Sequence, residues 1–241
     1  GHAKEPNMPA IAVTDHGVMY GVVEFYQEAL KQGIKPIIGC EVYITSGARC
    51  DQNVKERENQ YHLVLLAETN EGYKNLMKLV SIGHLEGFYY KPRIDKEVLR
   101  QYSKGIIGLS ACIAGEIPRH IIRGEKQQAE ECLLEYIDIF GKDNFFLEIQ
   151  NHGIKEESIS NETLKEFAAK YDIGLVATND AHYVQRSDAE GQDILLCIQT
   201  AATFDDPNRM KFVNDQFYVK SRSEMEQLFP EVPEALANTV K

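Results

Sequence analysis

Runs of apolar and often β-branched residues alternate along the chain with stretches in which apolar residues recur every three or four positions. The runs predict strands over residues 9–16, 35–44, 61–67, 105–112, 145–152 and 174–182. Between them, stripes such as Val18, Val22 and Phe25 predict helices. This alternation is typical of mainly parallel strands joined by crossovers, in a barrel or an open doubly wound sheet.

Composition narrows the class of protein. Of 241 residues, 43% are hydrophobic, which is sufficient for a large core, and 26 Lys and Arg stand against 37 Asp and Glu, a formal net charge of −11. Such a charge is a poor match for broad binding of nucleic acid, so we expect any contact with DNA to be local. No run approaches the roughly 20 apolar residues that cross a bilayer. Together with five scattered cysteines, this predicts a cytoplasmic protein without disulfides.

Side chains that bind metals recur where the predicted strands end. They are Asp15, His16, Glu41, Cys112, His152, Asp180 and His182. In parallel barrels the carboxyl ends of the strands converge on one mouth, and carboxylate, imidazole and thiolate are ligands of zinc and similar metals. In "NDAH", Asp180 and His182 are two residues apart and would point the same way from an extended strand. The pattern therefore predicts a metal site.

Each of these residues also has a structural alternative. Asp15 could cap the helix that follows it, Cys112 could be a small buried hydrophobe, and His152 could be an ordinary loop residue. His62 opens its predicted strand instead of ending it, so its position favours neither interpretation. His120 lies in a helical context and is interpreted as incidental, as are the remaining four cysteines.

A second feature is "GFYYKPRID", residues 87–95, in which three aromatic residues precede Lys91 and Arg93. Aromatic rings beside cations can stack bases and pair with phosphate, which is how single strands are held without sequence readout. The alternative is a surface loop with its aromatic rings packed underneath. Lys91 and Arg93 are candidate phosphate-binding residues if the loop overhangs the metal site.

Several motifs together resemble one known family. They are "AIAVTDHGVMYGVVEFYQEALKQGIKPIIGCEVY", "YHLVLLA", "LSACIAGEIPR", "FFLEIQNHG", "VATNDAHY" and "DDPNRMKFVNDQFYVKSRSEM". In order and spacing they resemble, over nearly the whole chain, the PHP (polymerase and histidinol phosphatase) domain at the start of bacterial DNA polymerase III alpha subunits. The resemblance implies a distorted seven-stranded β/α barrel, similar to a TIM barrel, with up to three divalent metals, zinc foremost and manganese or magnesium as alternatives.

The resemblance also implies roles for single residues. The implied metal ligands are His16, Glu41, His62, Cys112, Asp180 and His182, and Asp15, Glu41 and Asp180 are expected to act in catalysis, Asp15 by orienting His16. The family's first strand, with its H-x-H motif, has no counterpart here, and residues 1–10 resemble the end of the helix after it. We therefore expect an N-terminally truncated barrel over residues 1–202 that binds fewer metals, followed by an extension over residues 203–241 toward a polymerase core.

The implied parent activity is DNA-directed DNA polymerisation in replication, whose catalytic carboxylates would lie beyond residue 241. For the domain itself, the resemblance implies metal-dependent hydrolysis, foremost removal of the 3′ terminal nucleotide from a primer. The alternative is a non-catalytic scaffold that stabilises the polymerase and docks a separate proofreading subunit. A free-standing histidinol-phosphate phosphatase is a third hypothesis, disfavoured by residues 205–229. Expected partners are the primer terminus, the proofreading subunit and, through the rest of the polymerase, the sliding clamp.

Overall fold

The computed structural model describes residues 8–53 and 60–241, so the predicted helix end at residues 1–10 lies largely outside the described residues. The described strands are β1 (Ala10–Val13), β2 (Lys35–Thr45), β3 (Gln60–Ala67), β4 (Phe88–Tyr89), β5 (Lys91–Asp95), β6 (Ile106–Leu109), β7 (Phe145–Ile149) and β8 (Leu175–Ala177). The helices are α1 (Val22–Lys31), α2 (Asn70–Leu85), α3 (Lys96–Gln101), α4 (Glu116–Ile122), α5 (Lys126–Phe140), α6 (Lys155–Tyr171), α7 (Ala189–Thr200), α8 (Arg222–Leu228) and α9 (Pro233–Ala237).

The strands form one curled, mixed sheet in the order β4-β5-β2-β3-β6-β7-β8, with β1 paired to the first half of β2. The pairs β1–β2, β2–β5, β6–β7 and β7–β8 are parallel, as predicted. β3, however, is antiparallel to both of its neighbours. The segment between β2 and β3 is polar and carries no apolar stripe for a crossover helix, so the chain turns back on itself. The mixed α/β class and the distorted barrel-like curvature agree with the prediction.

The β4–β5 hairpin replaces the loop that was predicted over residues 87–95. Tyr90, at φ 61°, turns the chain between the two strands, and β5 then pairs with β2 from Arg93 onward. Pro92 obscures this strand in the sequence, because proline cannot donate a hydrogen bond and is usually confined to strand starts and edges. Here it precedes the pairing with β2.

The main hydrophobic core lies between the outer face of the sheet and the helices. Its fully buried members include Leu63, Leu65, Leu76, Leu79, Leu133 and Phe145. Phe229, Val232 and Ala235, from the predicted extension, belong to the same core. The residues on either side of the predicted boundary at residue 202 therefore share one hydrophobic core. That residues 203–241 lead toward a polymerase core stays a prediction.

The inner face of the sheet surrounds a cavity of about 760 Å³. Its lining includes Val13 of β1 and Val176 of β8, so strands from distant parts of the sheet border the same space. Apolar side chains of β3, β6 and β7 form its floor, and the polar groups at its mouth belong to the candidate site. Among the described residues, no helix is long and apolar enough to span a membrane.

Candidate metal centre

Three of the predicted ligands meet at one point of the cavity mouth. His16 follows β1, and its Nδ1 lies 3.7 Å from Oε1 of Glu41 in β2. Nδ1 of His62 contacts the same oxygen, and the two imidazole centroids are 5.2 Å apart. One potential ligand atom from each residue lies within 4.8 Å of the other two. An oxygen between two imidazoles is a suitable arrangement for one cation.

The direction of β3 explains why His62 joins this group. β3 is antiparallel to β2, and Gln60, at its start, pairs with Thr45, at the end of β2. The beginning of β3 therefore lies at the same rim as the carboxyl ends of the parallel strands, and His62, pairing with Tyr43, lies close to Glu41. Because β3 runs in the opposite direction, a residue near its start lies at the same rim as a residue at the end of a parallel strand.

The glycine of "TDHG" fixes the backbone beside His16. Gly17 has a φ of 67°, and its N–H donates to the backbone oxygen of Glu41 at 2.9 Å. A Cβ at this position would lie 2.8 Å from Cγ of Pro92. The turn therefore requires glycine, and it anchors His16 against the strand that carries Glu41.

The remaining predicted ligands border the same cavity. Sγ of Cys112 lies 3.8 Å from Nδ1 of His62, and the ring centroids of His182 and His16 are 6.0 Å apart. Nδ1 of His182 donates to the backbone oxygen of Asp180 at 2.7 Å and lies 3.8 Å from the Asp180 Oδ1. Nε2 of His182 then carries the lone pair that can bind a metal.

Asp180 and His182 converge by a different route from the one predicted. β8 ends at Ala177, and Asp180 has a left-handed φ of 42°, so the two residues lie in a turn beyond the strand. The side chain of Asn179 donates to the backbone oxygens of Gln216 and Tyr218, at 2.9 and 2.7 Å. A segment that follows α7 in sequence therefore holds this turn, which no local pattern indicates.

Electrostatics gives the central groups the charge states that metal binding requires. Burial favours the neutral form of Glu41, but His62 and His16 outweigh it and lower the pKa of the carboxyl. Burial lowers the pKa of His16, against the opposing charge of Glu41. An ionised carboxylate beside a neutral imidazole is the form in which both bind metals.

The pKa values of the surrounding acidic groups are raised instead. Burial, and then the charge of Glu41, raises the pKa of Asp180. The thiol of Cys112 has a pKa well above its usual value, through burial and then the charges of Asp180 and Glu41. Burial raises the pKa of Glu148, on β7, to about 7. These groups repel one another as anions, and a cation among them would relieve that repulsion.

The surroundings of one buried oxygen test whether a metal fits. Oε1 of Glu41 is buried, and its polar neighbours among the described residues are two imidazole nitrogens, Nδ1 of His62 in direct contact and Nδ1 of His16 at 3.7 Å. A buried carboxylate oxygen in that position is costly unless a cation binds it. The nitrogen, oxygen and sulfur donors present fit a divalent metal, and they suit several metals of that charge.

Other predicted residues have different surroundings. Asp15 borders the cavity, and its backbone oxygen accepts from the backbone N–H of Glu41 at 3.1 Å. The expected role of its side chain in orienting His16 stays a prediction. Lys91 is exposed, with Nζ 5.2 Å from the ring centroid of Tyr43, which packs edge-on against His62. Lys91 therefore lies at the rim, where its phosphate-binding role stays a prediction.

Arg93 does not have the predicted surroundings. Its side chain is fully buried, with Nε donating to the backbone oxygen of Gly87 at 3.1 Å. Nη2 donates to the backbone oxygens of Arg49 and Asp51, at 2.8 and 2.7 Å. The guanidinium is engaged with the protein's own carbonyl groups, so the prediction that it binds phosphate at the mouth is wrong.

A second group of donors lies outside the cavity. Glu116, His120 and Cys132 each offer a ligand atom within 4.8 Å of the others. The Glu116 carboxylate, however, already pairs with Nζ of Lys96 at 3.1 Å and accepts from the Tyr136 hydroxyl at 2.6 Å. Because the ammonium supplies the neutralising charge, this group is explained without a metal.

The amino-acid sequence of the chain is similar to one protein family and to several known proteins. The family model described as "PHP domain" matches residues 1–152. The chain is 49% identical over 243 residues to the DNA polymerase III subunit alpha of Borreliella burgdorferi, covering 99% of this chain and 21% of that protein. It is also 49% identical over 241 residues to the subunit of the same name from Thermus aquaticus, covering 98% and 20%. The chain thus spans about a fifth of the length of these relatives.

Among solved structures, a Bifidobacterium adolescentis protein described as a candidate metal-dependent phosphoesterase is similar over 95% of this chain and 87% of that one. The TM-score is 0.45 and the sequence identity is 12%. A likeness at this level adds nothing to the functional argument.

Proposed function

Because the chain belongs to the PHP domain family, whose model matches residues 1–152, we propose that it acts as the PHP domain of a bacterial replicative DNA polymerase. We further propose that its cavity hydrolyses phosphodiester bonds with divalent metals. The observation that carries this proposal is the convergence of His16, Glu41 and His62 at the mouth of a 760 Å³ cavity. A cavity of this size is large enough for a nucleotide.

The proposed ligands act in the forms that their surroundings favour. His16 would bind as a neutral imidazole, Glu41 as a carboxylate, and His182 through Nε2. His62, Cys112 and Asp180 complete the set. A divalent metal, when bound, would lower the pKa of water toward about 7 and stabilise charge on phosphoryl oxygens. The role of this chain's residues is to hold such a cation beside a cavity that a phosphate can enter.

The rim supports a nucleic-acid substrate of small footprint. Lys91 is exposed beside the site, and Phe88 and Tyr90 are 55% and 61% exposed on the same hairpin. Their rings can stack a base while the ammonium pairs with a phosphate. With a net charge of −11, the protein suits a local grip on a strand end better than an extended one. We therefore propose a 3′ primer terminus as the substrate, removed one nucleotide at a time.

The test is hydrolysis of a 5′-labelled primer by the full-length polymerase polypeptide, with zinc or manganese supplied after chelation. Asp180→Asn should abolish metal-dependent shortening of the primer and leave nucleotide addition intact. The matched control is Asp172→Asn, an exposed aspartate that ends α6 and pairs with Lys142 at 2.8 Å. Unchanged shortening in Asp180→Asn would refute the catalytic proposal.

One observation favours the scaffold alternative. Ile194, Leu195 and Ile198 on α7 are 48%, 59% and 73% exposed, an apolar surface suited to contact with another part of a polymerase or with a proofreading subunit. In that case Ile198→Asp would weaken assembly of the polymerase, while Asp180→Asn would leave every activity unchanged. The two substitutions therefore separate the two functions.

A further inference from the structure

Glu148 is a buried carboxylate that the predicted ligand set does not include. It lies near the end of β7, on the face of Phe146 and Gln150, and all three residues border the cavity. Its Oε1 accepts from Nε2 of Gln150 at 3.1 Å and from the hydroxyl of Thr178. Both donors are neutral, so neither offsets the charge of an ionised Glu148.

The second oxygen of Glu148 has no explanation within the described protein. Oε2 is buried and lacks a hydrogen-bond partner among the described residues. The charges of Glu41 and Asp180 act on Glu148, so it belongs to the same group of acids. A buried carboxylate oxygen in such surroundings requires either a cation or an ordered water.

In two other buried glutamates of this protein, a basic side chain pairs with the carboxylate. Glu116 pairs with the ammonium of Lys96 at 3.1 Å, and Glu157 pairs with the imidazole of His152 at 2.5 Å. For Glu148, the described part of the chain supplies no ion-pair partner of this kind. The difference is that Glu148 borders the cavity in which the metal ligands meet.

From this we propose that Glu148 is a further metal-binding carboxylate, which uses Oε2 to extend the cation site toward the floor of the cavity. Thr178 and Gln150 would hold Oε1 and so orient Oε2. The proposal deepens the proposed function, because it assigns another ligand to the same site. It adds one more anionic oxygen to the cavity that Asp180 and Glu41 also border.

The competing explanation is an ordered water. Glu148 also borders a separate void of about 10 Å³, close to the size of one water, and Ser160 borders it too. Oγ of Ser160 is likewise buried without a partner among the described residues. A water between Oγ of Ser160 and Oε2 of Glu148 would satisfy both atoms without a metal.

Zinc binding to the chelator-treated protein tests the proposal directly. Bound zinc per chain is measured by mass spectrometry and affinity by competition with a chromophoric chelator. Glu148→Gln, which keeps the size of the side chain, should bind zinc at least tenfold more weakly or lose one zinc per chain. Ser160→Ala is the control and should bind as the parent does. Unchanged zinc affinity and stoichiometry in Glu148→Gln would overturn the proposal in favour of the water.

A measurement on the unaltered protein covers the case in which Glu148→Gln does not fold. Crystals soaked in zinc are measured at the zinc edge. An anomalous peak about 2.0 to 2.2 Å from Oε2 of Glu148 supports the proposal. Peaks confined to His16, Glu41 and His62 overturn it. Neither result depends on hydrolysis, so zinc held by Glu148 in a protein that leaves primers intact would contradict only the proposed function.

Discussion

The buried imidazole of His152 lies against the carboxylate of Glu157, with 2.5 Å between Nδ1 and Oε1. The other ring nitrogen donates to the backbone oxygen of Asn179 at 2.9 Å, and the ring stacks on Phe217 at a centroid distance of 4.0 Å. His152 therefore connects β7, the turn that carries Asp180, and the segment after α7. We expect these contacts to position the turn that carries the proposed ligand Asp180.

We expect Glu157→Gln to lower the free energy of unfolding by about 3 kcal/mol, because it breaks a buried pair. Metal affinity should fall as well, since the turn before Asp180 loses its support. The control is Glu125→Gln: Glu125 also pairs with a histidine five residues away, His120, at 2.7 Å, but its side chain is 41% exposed. Urea denaturation should show less than about 0.5 kcal/mol for the control. Equal losses in both variants would contradict the assignment.

Removal of divalent metal should destabilise the protein. Glu41, Asp180 and Glu148 lie close enough to act on one another electrostatically, and a cation relieves that repulsion. Zinc at 100 times its dissociation constant should restore about 2.7 kcal/mol, measured as a rise in Tm after chelation. Glu41→Gln should show a much smaller rise. A Tm that is the same with chelator and with zinc would count against any metal site in this cavity.

The stability of the metal-free protein should depend on pH through Glu148. Burial raises its pKa from 4.5 to about 7, so the folded state favours the protonated form. The associated stability is present below pH 4.5 and is lost as the pH rises to about 7. The full loss is on the order of 3 kcal/mol.

Glu148→Gln, which cannot ionise, is the comparison for that pH dependence. In chelator it should be less sensitive to pH between 5 and 8 than the parent, and more stable than the parent at pH 8. Denaturant midpoints across this range measure the difference. If parent and variant change in parallel, Glu148 is not the group responsible.

Substitutions of Arg93 and Lys91 should have different effects, the first on the stability of the protein and the second on the binding of a primer. Arg93→Lys removes a planar group that donates to three backbone oxygens, and a lysine cannot reproduce that geometry. We expect a loss of about 2 to 3 kcal/mol in unfolding free energy. Lys91→Ala should leave stability within about 0.5 kcal/mol and weaken binding of a fluorescent primer. The opposite result, with primer binding weakened only by the Arg93 variant, would restore the phosphate role to Arg93.

Sequence patterns predict the site residues at the ends of strands better than the residues whose roles depend on partners distant in the sequence. The sequence indicates His16 and Glu41 because β1 runs parallel to β2, so that His16, just after β1, lies beside Glu41 in β2. His62 was ambiguous, because its role depends on the reversed direction of β3, which spacing does not reveal. It needed the family resemblance.

Arg93 and His152 show the limit of local patterns. The partners of Arg93 are backbone oxygens near residue 50 and at Gly87, and His152 depends on Phe217. No periodicity connects such distant positions. Glu148 had a weak signal: in "FFLEIQ" it interrupts an apolar strand on the same face as Phe146. A charged residue at such a position is rarely buried without a reason.

The shared core has a practical consequence for anyone who wishes to shorten or transplant this domain. A cut after residue 202 would strip away Phe229, Val232 and Ala235, together with the backbone oxygens of Gln216 and Tyr218 that restrain Asn179. The shortened polypeptide would have a cavity in its core and would lose the contacts that hold the turn carrying Asp180. We expect its stability and its metal affinity to fall together, so residues 203–241 must be kept with residues 1–202.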